Sequence, residues 1–207
     1  MKTKDKIVQI SIDLFNRSGV VAVTTNHIAK ELSISPGNLY FHFANKEEII
    51  RQIFRQMSKE TYDLWKTKKG QKPQNPLLLI EKNFELFWRY RFFHREMYYL
   101  RRKDSSLNKM WKAHIAKCLR LMTVMYKRWI KQGWMSPINS PDELYFLVNV
   151  LLATASTFLH FFESAERVPA KKHVEVGKIY VARLLVHSTE GDMKKEFEQF
   201  IAKPMLA

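Results

Sequence analysis

Between Ser35 and Phe43 the chain sets hydrogen-bonding side chains on one side of a short stretch and bulky apolar ones on the other. Leu39 and Phe43, at i and i+4, share a helix face and can be pinned to a core. Gly37, Asn38, Tyr40 and His42 then form the opposite side. Small, amide, phenol and imidazole groups on a protruding helix suit phosphates and base edges. An asparagine can pair with adenine N6 and N7, so Asn38 is the candidate for direct base readout. Lys46 adds a point charge; a cation in a helix's first turn opposes the helix dipole, a conflict that an external anion would relieve.

Bond-making chemistry finds no comparable constellation. Histidines 27, 42, 94, 114, 160, 173 and 187 are scattered. There is no HExxH, no GxSxG elbow and no glycine-rich phosphate loop. The single cysteine, Cys118, excludes an intramolecular disulfide and a cysteine-rich metal site, and reads as a small core residue. The expectation is no enzyme, no metal and no cofactor.

The elements that would position this face are helices. Only 6 Gly and 7 Pro punctuate 207 residues, and they fall at the edges of periodic stretches. Ile7, Ile10, Leu14 and Phe15 predict a helix over residues 5–18, ended by Gly19. Thr24 and Thr25 offer caps for a second, with Ile28, Ala29 and Leu32 on one face. Ser33-Ile34 makes a turn, and Ser35-Pro36 starts the third helix. Asn45 with Glu48 resembles a capping box for a long helix through Ile49, Ile50, Ile53, Phe54 and Met57 to about Trp65. Three short helices with a tight turn between the last two describe a helix-turn-helix.

The stretch TTNHIAKELSISPGNLYFHFANKEEII resembles the N-terminal signature of the TetR/AcrR family of repressors over about residues 7–54. Thr25, Ile28-Ala29, Ser35, Gly37, Leu39-Tyr40, His42-Phe43 and Lys46-Glu47 fall in register. Leu32-Ser33 departs from it, since the family usually has Ala-Gly there. The resemblance implies a dimer on a palindromic operator in double-stranded DNA, released when a small molecule enters the C-terminal domain. It implies phosphate contacts from Thr25, Tyr40, His42 and Lys46. Ser35, Pro36, Gly37 and Asn38 lie where the family approaches base edges or phosphates, and Asn26 is a further candidate. The expected fold is all-α: a helix-turn-helix domain over 1–50, then a helical effector-binding and dimerisation bundle over 51–207.

Residues 66–76, KTKKGQKPQNP, lack a large apolar residue and read as a mobile basic linker and domain boundary. Further helices are predicted from Pro76, over Arg95–Arg102, from Ser105 or Ser106 to Gly133, from Pro141 to Phe162, over 171–188, and over 192–202. Phe84, Phe87, Trp88, Trp111, Met122, Tyr126 and Trp129 form aromatic and methionine stripes. These are either plain core or the walls of a ligand cavity. Val174, Tyr180, Val181, Leu184 and Leu185 are expected to face inward.

A chain 46% hydrophobic and 27% charged can bury a core and is not disordered. Of its net charge of +15, residues 66–131 carry +14. That excess reads as a solvated basic face, as a site for an amphipathic anionic effector drawn by Arg89, Arg91, Arg95, Arg101 or Arg102, or as DNA contact through Lys66, Lys68, Lys69 and Lys72. Leu144–Phe162 carries no formal charge and is about the length of a membrane span, yet it holds Asn149, Thr154, Ser156, Thr157 and His160. Burial in a core or a homodimer interface is the favoured reading, formed by helices 141–162 and 171–188, with Ala153, Ala155, Ser156 and Gly177 permitting close approach. Asp5, Gln9 and Asp13 interrupt any signal-like apolar run, so a cytoplasmic protein is expected. An activator, a ligand-independent regulator and a membrane-associated regulator are the alternatives.

Overall fold

The computed structural model describes residues 2–67, 70–164 and 172–203. Among these described residues ten α-helices follow in order: α1 (Thr3–Ala22), α2 (Thr25–Glu31), α3 (Pro36–His42), α4 (Lys46–Trp65), α5 (Pro76–Arg89), α6 (Arg91–Lys103), α7 (Ser105–Lys131), α8 (Pro141–Ser164), α9 (His173–Val186) and α10 (Gly191–Ile201). No strand occurs among the described residues beyond one isolated bridge, Met135 to Thr189. The fold is all-helical, as expected. The helix at Arg95–Arg102 is longer than its sequence pattern suggested, running Arg91–Lys103.

Two compact units emerge, and neither is contiguous in sequence. The first joins residues 1–60 with 89–112, and the second joins 61–88 with 113–207. A division at residues 50/51 therefore does not describe the packing: α6 and the start of α7 belong with the N-terminal helices.

In the first unit, Phe15 meets Phe92 at 5.2 Å between ring centroids, and Phe54 meets Phe93 at 5.6 Å. Gly19 breaks α1, at φ 76° and ψ 157°, a region that only glycine occupies freely. The freed Val20 N–H donates to both oxygens of Glu96, at 3.0 and 3.1 Å. Asn16 supplies the matching joint to α6. Its Nδ2 donates to Arg89 O at 2.8 Å, and its Oδ1 accepts from Phe92 N at 3.1 Å. Arg95 returns a bond to Asn16 O at 2.7 Å.

In the second unit, Phe84, Tyr126, Trp129, Phe158, Leu159 and Phe197 are buried among α8, α9 and α10 residues. Gly177 of α9 is required by packing: a Cβ there would stand 2.4 Å from Phe84 and 2.6 Å from Phe158. Its small size serves this core, as does that of buried Ala155, so neither is left for an interface. The basic segment is pinned where it is described. Gln74 Nε2 donates to Leu64 O at 2.6 Å, Trp129 Nε1 to Gln74 O at 2.8 Å, and Arg128 to Gln71 O at 2.5 Å. Lys66 lies 3.3 Å from Asp63. Lys68 and Lys69 lie outside the described residues.

Pro141–Phe161 is long and apolar enough to cross a membrane by length and composition, with 33% of its most apolar window buried. Leu144, Val148, Leu151, Ala155, Phe158 and Leu159 form its buried side. Tyr145, Phe146 and Phe161 are exposed. On α9, Val181 and Leu185 point inward as expected, but Tyr180 and Leu184 are more than a third exposed. They continue the helical period one face over, where the pattern alone could not assign a side.

Candidate nucleic-acid interface

Local chemistry builds the face from its caps. Thr24 caps α2: its Oγ1 accepts from His27 N at 3.2 Å, and its own N–H donates to His27 Nδ1 at 3.3 Å. His27 thus fills the reciprocal place usually held by Glu or Gln. Leu32 closes the helix and Ser33 turns the chain at φ 53°, the left-handed region. Ser35 caps α3 by accepting from Asn38 N at 3.1 Å, with Pro36 in the first turn.

That cap has a consequence for anion binding. Pro36 has no N–H, and the Asn38 N–H is spent on Ser35. Of the first-turn amides that leaves the Gly37 N–H, so α3 offers no cradle of several free amides and side chains carry most of its polar contacts.

Leu39 and Phe43 are buried at 0% and 1% exposure, so α3 is held by its inner face. Ser35, Pro36, Gly37, Asn38 and Tyr40 are exposed, His42 is half-buried, Asn26 is exposed and Thr25 is half-buried. Thr25 Oγ1 and Tyr40 Oη lie 3.0 Å apart, which brings α2 and α3 to one point. Phe41 was not read from sequence, yet it is 84% exposed and projects from the same short helix. Its signal was available, since it sits two residues from both Leu39 and Phe43. A search for polar outer residues passed over it.

Lys46 has a partner inside the protein. Its Nζ donates to Val20 O and Val23 O, both at 2.8 Å. The dipole conflict that pointed to an external anion is met by these carbonyls. Of three ammonium donors, one is left for another acceptor. The Asn45 cap holds as expected, accepting from Glu48 N at 2.9 Å, but the Glu48 carboxylate reaches Ala44 N at 2.8 Å.

A family model described as bacterial regulatory proteins of the tetR family matches residues 7–53, and the TetR model, described as a bacterial transcriptional repressor, matches residues 54–186. The chain belongs to the TetR family. It is thus a DNA-binding transcriptional regulator with an N-terminal helix-turn-helix, in a family of regulators and not of enzymes. A TetR-family regulator from Marinobacter aquaeolei VT8 superposes with a TM-score of 0.87 at 29% identity, covering 98% of both chains. SmeT, the repressor of the Stenotrophomonas maltophilia efflux pump SmeDEF, shares the fold at a TM-score of 0.62 and 16% identity over 93% of each chain. QacR of Staphylococcus aureus is 38% identical over 66 residues, 32% of this chain and 35% of QacR. IcaR of Staphylococcus epidermidis, a negative regulator of the biofilm operon icaADBC, is 43% identical over 49 residues, 24% of this chain and 26% of IcaR. The chain thus matches only about a third or less of these curated relatives' lengths.

The second unit of this TetR-family chain holds a partly open cavity of about 70 Å³. Phe84, Phe87, Met122, Tyr126 and Trp129 line it, as the stripes suggested, but Trp88 and Trp111 do not. Trp88 is partly buried against the core of that unit. Trp111 lies in the first unit, 6.0 Å from Phe54 and under the Arg101 guanidinium at 5.7 Å. One α7 stripe serves two cores, and periodicity cannot show where the change falls. The sequence reading missed Thr61, Trp65, Asn83, His114 and Cys118 in the lining. Arg89, Arg91, Arg95, Arg101 and Arg102 belong to the first unit, and none lines the cavity. Arg89 pairs with Glu60 at 2.9 Å, Arg101 bonds Asn108 at 3.0 Å, and Arg102 bonds the Tyr98 hydroxyl at 3.1 Å.

Proposed function

We propose that this chain is a cytoplasmic, homodimeric repressor that binds a palindromic operator and releases it when a small molecule enters the second unit. The observation that carries the DNA reading is the Thr25–Tyr40 pair beside exposed Asn38, over buried Leu39 and Phe43. The paired hydroxyls address a phosphate, Asn38 reads an adenine, and Phe41 packs on a thymine methyl. Gly37 lets the backbone approach, and Asn26, His42 and the third Lys46 donor add backbone contacts. Ser35 and Pro36 set the angle of entry.

A twofold partner would cover the outer apolar side of α8 with that of α9: Tyr145, Phe146, Phe161, Tyr180 and Leu184. The one-sided pattern of α8, and its family, favour a partner subunit over lipid. The 70 Å³ cavity is far below the roughly 300–1,000 Å³ of a site for a drug-sized ligand. An effector would therefore have to spread the surrounding helices, which is how occupancy would be felt elsewhere. Repression is favoured by the description of the family model and by the relative IcaR.

The test is transcription in vitro from a promoter overlapped by a duplex that the protein selects from a random pool. Transcript should fall with added protein. A rise would make the chain an activator, and no change with bound DNA would remove the repressor reading.

A further inference from the structure

The cavity of the second unit is defined by the charges its described lining lacks and by an amide donor left unspent at its wall. Among the described residues, no Lys, Arg, Asp or Glu lines it. A charged guest would lose its hydration and find no counter-ion, a loss that apolar contacts do not recover. Trp65 and Trp129, 6.4 Å apart between centroids, and Phe84 supply aromatic walls.

The polar groups are mostly engaged, and the Tyr126 hydroxyl, which has no partner among the described residues, is shut off from solvent and from open space in the cavity. His114 Nδ1 lies 3.2 Å from the Tyr62 hydroxyl, and its Nε2 lies 3.5 Å from Cys118 Sγ. Burial pushes the Cys118 thiol up to about 12, against a smaller opposing pull from Lys117, so it stays neutral. Asn83 differs. It is 9% exposed, and its Oδ1 accepts from Trp65 Nε1 at 3.1 Å. An indole N–H can only donate, so the amide must turn its oxygen to Trp65 and offer its NH2 elsewhere. Among the described residues that NH2 has no acceptor. It is an unspent donor at an apolar wall, open to an acceptor that comes within reach.

We infer that the cavity takes an uncharged, ring-bearing molecule with one hydrogen-bond acceptor, and that Asn83 Nδ2 is the group that recognises it. This rests on the reading of the cavity as the effector site. The ring packs against the aromatic walls, and a ketone, ether or phenol oxygen meets the amide. Anionic and cationic molecules of the same shape are excluded by desolvation.

Four small probes separate these features: acetophenone, its hydrocarbon shape-mimic cumene, benzoate and phenyltrimethylammonium. Binding to the full chain is read by tryptophan fluorescence and by slowed labelling of Cys118, the only cysteine, with a neutral thiol reagent. Acetophenone and cumene should bind and protect Cys118, and the two ions should not. In Asn83→Leu the preference for acetophenone over cumene should fall about tenfold, the order of one buried hydrogen bond. Should that variant fold poorly, the wild type decides: the Asn83 side-chain NH2 resonances must shift with acetophenone and stay with cumene. Equal binding of either ion, an unmoved Asn83 signal, or no binding by any probe up to its solubility would overturn the inference. Affinity for the selected duplex, measured with saturating acetophenone, separates the two readings. Binding without DNA release would remove the effector role and leave the ligand class standing.

Discussion

Thr25 Oγ1 and Tyr40 Oη, fifteen residues apart in the chain, share a hydrogen bond of 3.0 Å. Whichever hydroxyl donates, the other keeps its hydrogen for an outside acceptor. The pair is then one donor site built from two helices. Tyr40→Phe and Thr25→Val should each weaken binding to the selected duplex by about 1 kcal/mol. The double variant should lose less than the sum, with a coupling of about 0.5 kcal/mol or more. The slope of log K against log salt should stay nearly unchanged in Tyr40→Phe, because an uncharged hydroxyl neutralises no phosphate and releases no counterion. Fluorescence anisotropy across a salt series measures both, and strict additivity would show that the hydroxyls act separately.

Asn38 and Phe41 should affect specificity more than general affinity. Asn38→Ala should cost about 1–3 kcal/mol on the preferred duplex and relax preference at one base pair in each half-site. Phe41→Ala should reduce the preference for thymine at a neighbouring position. The readout is competition among duplexes changed one base pair at a time. A uniform loss on every duplex would assign these side chains to the backbone instead.

Ser33 holds φ 53° where the family usually has glycine. Left-handed backbone costs a non-glycine residue roughly 1–2 kcal/mol, and glycine returns roughly 0.5–1 of that through unfolded-chain entropy. Ser33→Gly should therefore stabilise the protein by about 0.5–1 kcal/mol in urea unfolding. A loss of stability would mean that the serine hydroxyl contributes more than its backbone costs.

Asp104 joins α4 to the start of α7. Its Oδ2 lies 2.6 Å from Arg51, and its Oδ1 accepts from Leu107 N at 3.0 Å. Burial alone would raise its carboxyl, but the Leu107 N–H and the Arg51 guanidinium outweigh it and hold the group below the usual carboxylate range. A depressed carboxyl stabilises the fold fully above its unfolded value near 3.9 and loses that contribution as pH falls through the folded value. The stability gap between wild type and Asp104→Asn should be present at neutral pH and shrink once pH falls below about 4. Urea midpoints at several pH values check this, and a gap that widens with acid would reverse the sign.

Phe146 is 69% exposed on the outer side of α8. If a second subunit covers it, Phe146→Asp should convert a dimer into a monomer in sedimentation, leaving helix content unchanged. A monomeric wild type would remove the interface altogether.

Much of the fold was legible because it is written locally. Ser35-Pro36, Asn45 with Glu48, and Leu39 with Phe43 act over three or four residues, and each appears where its spacing implied. What escaped were joints between distant segments. Glu96 on Val20 N–H, Asn16 on Phe92 N–H and Lys46 on two carbonyls of the α1 end leave no trace in periodicity. Polar bonds across 76 residues of sequence have no local signature. The same limit misassigned Trp111, on a regular stripe whose helix changes partner between Lys112 and Ala113. Asn83 was invisible for a different reason. Its importance lies in what its amide lacks, which only its surroundings reveal.

The most direct measurement is selection of bound duplexes from a random pool by the purified wild type and by Asn38→Ala. The wild type should enrich two inverted half-sites about 34–36 Å apart or a multiple of it, and Asn38→Ala should lose one base preference in each half. Enrichment of a single unrepeated half-site, or the same bases selected by both proteins, would contradict a paired α3 as the reader of the operator.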